Sequence, residues 1–356
     1  MLPLDLRAPQ AHTEAILERM RPAAIENAEG MRITLADSVP VREGDALVIT
    51  TSGTTGAPKG VVHTHETLRA AARLTGAATG TDADSHWLAC LPLSHIGGFS
   101  VIPRALECGA GLTVHPDFNA TRVERARARG ATHVSLVPTA LARIDPSGWQ
   151  VILLGGSAIP AERPANCIAT YGLTETGGGV VYDGRPLAGV EVRVTTAARI
   201  ELRSPTLGAG YREISGDPAG EESWLTPLPL TEDGFLTTND CGSFDEVAGL
   251  LTVQGRSDDL IISGGVNVWP EPVENLLRGH PAVSDCLVTG RADPEWGQLV
   301  VAVVVPTDAA APPTLEELRG LVKEHLPAAH APRLLELVGS LPRNAGGKLV
   351  RQRNTD

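Results

Sequence analysis

The segment Thr50-Thr51-Ser52-Gly53-Thr54-Thr55-Gly56-Ala57-Pro58-Lys59-Gly60 indicates more about the chemistry of this chain than any other. It follows an apolar run at residues 46–49 and combines five hydroxyl side chains, three glycines and one lysine. A strand that ends in such a loop offers backbone N–H groups, hydroxyl donors and a cation to one anion. Because Lys59 comes three residues after Gly56 and precedes another glycine, the spacing is not that of a Walker A loop. The segment therefore predicts a polyphosphate site of a different type.

Lysine is rare in this sequence. The chain has 30 lysines and arginines together, and only Lys59, Lys323 and Lys348 are lysine. Lysine provides a compact, mobile charge, whereas arginine provides a flat fork of donors. Two of the three lysines stand in glycine-rich segments, which indicates a specific use. Lys323 falls in an ordinary helical pattern, so placement by chance is the alternative interpretation.

Length and composition limit the class of protein. The 356 residues are enough for two domains, or for one large domain with a small appendage. Hydrophobic residues make up 42% of the chain but aromatic residues only 3%, so alanine, glycine, leucine and valine must fill the core. The net charge of −12 argues against nucleic acid as a partner, because phosphate backbones require a basic face.

The sequence also predicts the compartment. It contains no apolar run of the length that spans a membrane, and the first residues lack the pattern of a signal peptide. The cysteines are scattered without a Cys-x-x-Cys pair, which argues against a disulfide framework and a cysteine metal site. We therefore expect a cytoplasmic protein with reduced thiols and no membrane insertion.

Hydrophobic patterning predicts an α/β protein with two domains. Up to about residue 185, short apolar runs alternate with helical patterns, as expected for α/β sheets. Short alternating strands from Val190 to Val253 predict a small β-barrel-like subdomain or antiparallel sheet. The last hundred residues read as a small α+β domain, with a capping box at Thr314 and Glu317. We place the boundary at Asp258, between a large N-terminal domain (1–257) and a small C-terminal domain (259–356).

Four further segments carry polar chemistry. Tyr171–Thr176 presents a ring, a hydroxyl and a carboxylate that could stack on a base, contact a phosphate and hold Mg²⁺. Thr237–Asp240 offers a carboxylate suited to ribose hydroxyls. Gly255–Asp259 and Pro342–Lys348 complete the set. Taken singly, each segment is more typical of an ordinary turn or loop than of a site.

Taken together, in this order and spacing, these segments resemble the adenylate-forming superfamily of acyl-CoA synthetases, peptide-synthetase adenylation domains and luciferases. The resemblance extends from about residue 46 to residue 351. The matching segments are the phosphate loop, Leu91–Gly98, Gly155–Ala158, Tyr171–Thr176, Asp240, Gly255–Asp259, Ser263–Asn267 and Lys348.

The resemblance implies a reaction in two steps. A carboxylate first attacks the α-phosphate of Mg-ATP, and Lys348 supplies the charge that lets two anions approach. Thr174 would contact the α-phosphate, Glu175 would bind Mg²⁺, and Asp240 would accept from the ribose. The residues implied in nucleotide and cofactor binding are Thr51, Ser52, Gly53, Thr54, Thr55, Gly56, Lys59, Gly155, Gly156, Ser157, Ala158, Tyr171, Gly172, Thr174, Asp240, Arg256, Gly264 and Gly265.

In the second step, the family rotates its mobile C-terminal domain about a hinge, here Asp258. The rotation withdraws Lys348 and brings the face with Gly264 and Gly265 to the site, where small residues leave room for the pantetheine arm of coenzyme A. His95 would gate or line the acyl pocket, although a packed histidine at a loop-to-helix junction is the simpler alternative. We interpret the neighbouring histidines His63 and His65 as structural.

Within the superfamily, the chain is most similar to the compact o-succinylbenzoate–CoA ligases of menaquinone biosynthesis, particularly the actinobacterial type. Few residues precede the phosphate loop, and the segments Leu91–Leu106, Ser135–Ile144 and Tyr171–Val190 carry this similarity. One departure is Asn239, which stands where the family usually has glycine. Because asparagine tolerates left-handed backbone, we expect a turn to form there.

The acid and its anchor stay open at this point. A dicarboxylate needs a basic group for its unreactive carboxylate, and Arg104 and Arg143 are candidates, although each also reads as a solvated helix arginine. The alternatives are a CoA ligase for another aryl or fatty acid and an adenylation enzyme that serves a carrier protein. A non-catalytic adenylate binder is disfavoured, because the motif residues include Lys59, Glu175 and Lys348. The expected partners are ATP, Mg²⁺, coenzyme A and a small carboxylic acid, and a homodimer is one alternative for the oligomeric state.

Overall fold

The computed structural model describes residues 1–5, 7–27, 29–52, 58–156, 159, 162–213 and 224–343. They form two compact units. The first contains residues 1–192, 202–237 and 245–251, and the second contains 193–201, 238–244 and the chain from 252 onward. The helices in the described ranges are α1 (Gln10–Met20), α2 (His65–Thr79), α3 (Ile96–Phe99), α4 (Val101–Glu107), α5 (Ala120–Ala128), α6 (Pro138–Leu141), α7 (Pro270–Arg278) and α8 (Leu315–His325).

Most of the chain is organised by short strands. The strands are β1 (Ala24–Glu26), β2 (Arg32–Thr34), β3 (Asp45–Ser52), β4 (Pro58–Thr64), β5 (His86–Ala89), β6 (Gly111–Val114), β7 (His133–Leu136), β8 (Val151–Leu154), β9 (Cys167–Leu173), β10 (Gly178–Tyr182), β11 (Arg185–Pro186), β12 (Glu191–Val194), β13 (Arg199–Arg203), β14 (Gly210–Arg212), β15 (Leu225–Thr226), β16 (Leu236–Asp245), β17 (Leu250–Arg256), β18 (Ile261–Ser263), β19 (Val266–Val268), β20 (Val283–Asp293), β21 (Gly297–Pro306) and β22 (Leu334–Leu337). The predicted α/β class is confirmed.

A seven-stranded sheet in the order β11-β10-β9-β8-β7-β5-β6 forms the centre of the first unit. Strands β5 to β9 pair in parallel, whereas β10 and β11 run antiparallel. Successive side chains of β5 point to opposite faces. Trp87 packs with Val101 and Ala105 of α4, while Leu88 packs with Val123 of α5. Both faces of the sheet are therefore buried, as is typical of parallel strands covered by helices.

The phosphate segment begins in a β-hairpin. Strands β3 and β4 pair antiparallel, and β4 continues the sheet to β14 and β15. The apolar run at residues 46–49 predicts β3. Strand β4 is not predicted, although its Gly60-Val61-Val62 run is rich in the β-branched residues of strands. Gly60 is required there, because a Cβ would lie 2.5 Å from the sulfur of Met20 and 2.6 Å from Cγ1 of Val48.

Arg212 connects strand β14 to the N-terminal segment of the chain. It is almost fully buried, and its guanidinium donates to the carbonyl oxygens of Met20 (2.7 Å), Pro40 (3.0 Å) and Val39. These bonds satisfy carbonyls that the N-terminal segment would otherwise leave unpaired. Since side chains alternate along a strand, the neighbouring Tyr211 is directed to the opposite face.

The second unit contains a sheet of order β19-β18-β21-β20, with β22 parallel to β21. Its core combines Val273 and Leu277 of α7 with Leu318 and Val322 of α8 against β20 and β21. The predicted capping box is confirmed, because Thr314 and Glu317 exchange side-chain and backbone hydrogen bonds at the start of α8. None of the helices in the described part of the chain is long and apolar enough to cross a membrane.

The short strands predicted after Val190 form a four-stranded sheet of order β12-β13-β16-β17. Asp258, the predicted domain boundary, lies shortly after β17 in a single 3₁₀ turn, Ser257–Asp259. The assignment of Asp258 as a hinge stays a prediction.

Candidate functional site

A tight turn of four residues, Thr174–Gly177, joins the antiparallel strands β9 and β10. The buried hydroxyl of Thr176 accepts from the backbone N–H of Leu173 (2.8 Å) and lies 2.7 Å from the carbonyl oxygen of Gly178. Backbone N–H groups at either end donate within the turn, including that of Gly177 to Thr174 (3.0 Å). The predicted α-phosphate and metal residues, Thr174 and Glu175, therefore sit on a fixed frame.

Residues of two other segments contact the backbone carbonyl oxygens of the same turn. Nε2 of His63 lies 2.8 Å from the carbonyl oxygen of Thr174, and the backbone N–H of Gly208 donates to the carbonyl oxygen of Glu175 (2.8 Å). Burial lowers the pKa of His63, so its ring is neutral and carries the proton on Nε2. The structural role expected for His63 is confirmed, whereas His65 lies exposed at the first position of α2.

Tyr171 and Gly172 lie in β9 itself, with Tyr171 opposite Val181 of β10. The strands approach closely here. A Cβ on Gly172 would overlap the carbonyl oxygen of Gly178 and lie 2.7 Å from Cα of Gly179. Gly172 is therefore required by the close approach of two backbones, and it sets the position of Tyr171 beside it.

We expect Gly172→Ala to lower the free energy of unfolding by about 1–3 kcal/mol, the cost usual for overpacked sites, and to weaken AMP binding. Strands β9 and β10 would have to separate beside Tyr171. Thermal unfolding and an AMP titration check both effects. Gly320→Ala in α8 is the matched control, because its Cβ would meet no atom within 4 Å and alanine favours a helix. Equal stability of the two variants would contradict the close approach.

The phosphate segment is described only at its two ends. Thr51 pairs with Lys59 across the β3–β4 hairpin. Nζ of Lys59 lies 4.0 Å from Glu213 and 5.5 Å from the centre of the Tyr211 ring. The side chain of Ser52 and residues Gly53, Thr54, Thr55 and Gly56 lie outside the described residues, and their phosphate contacts stay predictions.

The predicted adenine segment follows β8. The backbone N–H of Gly155 donates to the carbonyl oxygen of Leu136 (3.1 Å), which continues the parallel sheet by one residue. Gly156 has a φ of +92°, a conformation that favours glycine. Ser157 and Ala158 lie outside the described residues. Because the segment leaves the carboxyl end of a parallel strand, it lies at the edge where open α/β sheets bind ligands.

Asp240 and Arg256 are brought together in the second unit. Asp240 is only 8% exposed, and its Oδ1 lies 3.7 Å from Nη1 of Arg256, whose Nη2 lies 3.4 Å from Asp258. The turn expected at Asn239 is wrong. Residues 238–240 lie inside β16, and Asn239 does not have a positive φ. Pairing in the sheet determines the backbone here, so the left-handed tolerance of asparagine is not used.

Gly264 and Gly265 form the two-residue loop of the β18–β19 hairpin. Their φ values are +58° and +78°, as a type I′ turn requires, so the turn alone explains both glycines. A Cβ on Gly264 would lie 2.9 Å from the ring of Trp296, whereas a Cβ on Gly265 would meet nothing within 4 Å. The open side of Gly265 is consistent with the predicted room for a pantetheine arm, which stays a prediction.

The two remaining residues that are predicted to be catalytic are His95 and Lys348. His95 precedes α3 and is exposed, although desolvation by neighbouring atoms lowers its pKa while the charge of Asp5 opposes this. Its role in an acyl pocket stays a prediction. Lys348 lies in 344–356, outside the described residues.

The interpretation of Arg104 as a solvated arginine is wrong. Arg104 is only 5% exposed, and its guanidinium carbon lies 4.4 Å from the centre of the Trp87 ring. Nη2 donates to Oγ of Ser100 (3.3 Å), but Nε and Nη1 are buried without a hydrogen-bond partner in the described part of the chain. Burial lowers the pKa of Arg104. Arg143, by contrast, is exposed, as expected.

A buried guanidinium is costly unless an anion compensates it, and two nitrogens of Arg104 have no partner among the residues that the structure describes. Arg104 lies close to the strands that carry the site. Oγ of Ser100, its hydrogen-bond acceptor, would be 3.8 Å from a Cβ on Gly178, the first residue of β10. The nitrogens that have no partner among the described residues make Arg104 a candidate for pairing with an anion.

The described residues fit Mg²⁺ bound together with a nucleotide. Within them, no group of three or more histidine, cysteine, aspartate or glutamate side chains could hold a metal. Glu175 supplies one carboxylate. Mg²⁺ commonly takes one or two carboxylates and completes its shell with water and substrate phosphates. A single glutamate on a fixed turn matches that pattern.

Tyr211 is not among the site residues predicted from the sequence. Its hydroxyl donates to Oε1 of Glu175 (2.9 Å), although 36 residues separate them along the chain. No local sequence pattern around Tyr211 predicts this contact, because the contact depends on how β14 packs beside the turn after β9.

Comparison with known proteins agrees with this geometry. A family model described as AMP-binding enzyme matches residues 5–203, and one described as AMP-binding enzyme C-terminal domain matches residues 272–348. The probable 2-succinylbenzoate–CoA ligase of Mycobacterium tuberculosis (strain CDC 1551 / Oshkosh) is 40% identical over 330 residues, covering 86% of this chain and 82% of that protein.

Solved structures give the same result. o-Succinylbenzoate CoA synthetase (MenE) from Bacillus subtilis, in complex with the acyl-adenylate intermediate OSB-AMP, superposes with a TM-score of 0.76 at 30% identity, covering 90% of this chain and 72% of that chain. The same enzyme in complex with ATP and magnesium ion gives a TM-score of 0.76 at 30% identity, covering 90% and 73%. The sequence motifs, the fold and these matches together establish that the chain belongs to the adenylate-forming family of AMP-binding enzymes.

Proposed function

We propose that this chain is an AMP-forming 2-succinylbenzoate–CoA ligase. It would convert 2-succinylbenzoate, ATP and coenzyme A into the CoA thioester, AMP and pyrophosphate by way of an acyl-adenylate. The 40% identity to a mycobacterial protein of that name supports the reaction. The buried Arg104, two of whose nitrogens have no hydrogen-bond partner within the described ranges, is the observation in this chain that supports a substrate with a second carboxylate.

In the first step, the residues on the β9–β10 turn and the β3–β4 hairpin act on the nucleotide. Tyr171 would stack on the adenine, Thr174 would contact the α-phosphate, and Lys59 would hold the outer phosphates. Mg²⁺, when bound with the phosphates at Glu175, neutralises part of their charge. Lys348 would balance the charge of the attacking carboxylate, because two anions must meet at the α-phosphorus.

Arg104 would hold the carboxylate of the substrate that does not react. A carboxylate beside the guanidinium would pair with the unpaired nitrogens and offset the cost of burying the charge. An acid with only one carboxylate would leave Arg104 uncompensated. Benzoate and palmitate lack a second carboxylate, and we therefore expect the site to discriminate against both acids.

In the second step, the thiol of coenzyme A would attack the acyl-adenylate and release AMP. Rotation of the C-terminal domain about Asp258 would withdraw Lys348 and present Gly265, whose open side leaves room for the thiol arm. Arg256 contacts both Asp240 and Asp258, and it therefore lies between the predicted ribose and hinge residues.

A panel of acids with ATP, Mg²⁺ and coenzyme A tests the function. We expect pyrophosphate and thioester with 2-succinylbenzoate, and at least about 100-fold lower kcat/KM with benzoate, as two lost charge-assisted hydrogen bonds would cause. A higher kcat/KM with benzoate or palmitate would replace 2-succinylbenzoate as the substrate. Pyrophosphate release without thioester, unless a carrier protein is added, would replace the ligase reaction.

A further inference from the structure

Tyr211 contacts two residues of the nucleotide site from a third element. It occupies the middle of β14, paired with Val61 of β4 on one side and Thr226 of β15 on the other. Its hydroxyl donates to Oε1 of Glu175 at 2.9 Å, and Nζ of Lys59 lies 5.5 Å from the centre of its ring. A lysine at that distance from an aromatic face is within the range of a cation–π interaction.

The hydrogen bond between Tyr211 and Glu175 has a defined direction. A tyrosine hydroxyl is protonated at neutral pH and a carboxylate oxygen can only accept, so Tyr211 donates and Oε1 of Glu175 accepts. Hydrogen bonds from a hydroxyl to a carboxylate are about twice as strong as those between neutral groups. Oε1 of Glu175 is therefore engaged by Tyr211, while Oε2 has no hydrogen-bond partner within the described residues.

Lys59 is also restrained on this side. Its Nζ lies 4.0 Å from Glu213, two residues after Tyr211, and Glu213 is itself bonded to Arg19. Residues 211 and 213 point to the same side of an extended chain, so Tyr211 and Glu213 together face Lys59. Because Arg19 competes for Glu213, that carboxylate compensates Lys59 only in part, and the lysine stays available to another anion.

We propose that Tyr211 is a positioning residue for the Mg²⁺-bound nucleotide: it holds Glu175 through Oε1, which would leave Oε2 to bind Mg²⁺, and it supports Lys59 with its ring. This inference rests on the proposed function, since it assumes that Glu175 and Lys59 act on Mg-ATP. Outer partners that orient a ligating side chain commonly change metal affinity when they are removed. A purely structural tyrosine would contribute ring packing, whereas the hydroxyl of Tyr211 contributes contact with Glu175.

The test separates the hydroxyl from the ring. Tyr211→Phe removes only the O–H group, and Tyr211→Leu removes the aromatic face as well. ATP binding to the full chain is measured by calorimetry with and without Mg²⁺, and metal binding by a Mn²⁺ titration in the presence of ATP. For Tyr211→Phe we expect about 10-fold weaker Mn²⁺ binding, the lower end of the range for lost outer-shell partners, with metal-free ATP binding within about twofold of the wild type.

Tyr211→Leu should show the same loss of metal affinity and also weaker metal-free ATP binding, because Lys59 loses its aromatic support. Tyr182→Phe is the matched control. Its hydroxyl is also buried and bonded, to Thr75 at 3.0 Å, and it does not contact Glu175. We expect this control to leave Mn²⁺ affinity unchanged.

Unchanged Mn²⁺ affinity in Tyr211→Phe would overturn the proposal. So would an equal loss of ATP affinity with and without metal, because a general distortion of the site would produce that result. Neither measurement uses an acid or coenzyme A. An incorrect substrate would therefore fail in the acid panel and leave this test intact, whereas wild-type protein that binds no ATP would contradict the proposed function itself.

Discussion

Lys348→Ala is expected to reduce acyl-adenylate formation by at least about 100–1,000-fold, the loss usual when a group that stabilises developing charge is removed. Thioester formation from supplied acyl-adenylate and coenzyme A should stay within a few-fold of the wild type. The reason is that the two anions meet only in the first step, whereas a thiol attacks a neutral carbonyl carbon in the second. Pyrophosphate exchange into ATP and thioester release from synthetic acyl-adenylate measure the two steps separately.

Lys323→Ala is the matched control for this variant. Lys323 is the other lysine of the C-terminal region, and it lies exposed in the last turn of α8. Its replacement removes the same charge from the chain but should leave both half-reactions unchanged. Equal loss of the two half-reactions in Lys348→Ala would contradict the assignment of this lysine to the first step alone.

Arg104→Met is expected to separate stability from activity. A buried arginine without an anion destabilises the fold, and apolar replacements of buried charges are often neutral or stabilising. We therefore expect the melting temperature of Arg104→Met, measured without substrate, to equal or exceed that of the wild type. For 2-succinylbenzoate, kcat/KM should fall about 10–100-fold, which corresponds to the roughly 1.5–3 kcal/mol of a hydrogen bond to a charged group.

The comparison acid for Arg104→Met is benzoate, whose kcat/KM should change less than that of 2-succinylbenzoate. Arg143→Met is the matched control, because Arg143 is exposed and its guanidinium carbon lies 5.2 Å from the ring of Phe118. A lower melting temperature in Arg104→Met, with the same fractional loss for both acids, would show that Arg104 serves packing and not substrate recognition.

Local signals in the sequence were sufficient for elements whose determinants lie close together. The capping box at Thr314 and Glu317 predicts the start of α8 because both partners lie within one turn. The apolar run Val151–Leu154 predicts β8, since a strand covered on both faces must be apolar throughout. The adenylate-forming family was also predictable, because its motifs keep their order and spacing.

The features that were missed depend on distant parts of the chain. Arg104 has the local pattern of a solvated helix residue, and only the packing of α4 against Trp87 buries it. Asparagine is typical of turns, but Asn239 lies inside β16, and the pairing of β16 with its neighbouring strands keeps the backbone extended. The contact between Tyr211 and Glu175 requires β14 to lie beside the turn after β9. Tertiary packing overrides local preference in each case.

The reversal of chain direction after β9 also limits where this fold can accept insertions. A parallel strand is usually followed by a long crossover, which tolerates insertions, but β9 returns at once through Thr174–Gly177. Insertions in this short connection would displace the groups that meet the triphosphate. Adaptation of the enzyme to new acids is therefore expected to proceed through helix α4 and neighbouring loops, while the nucleotide half of the catalytic centre is inherited unchanged.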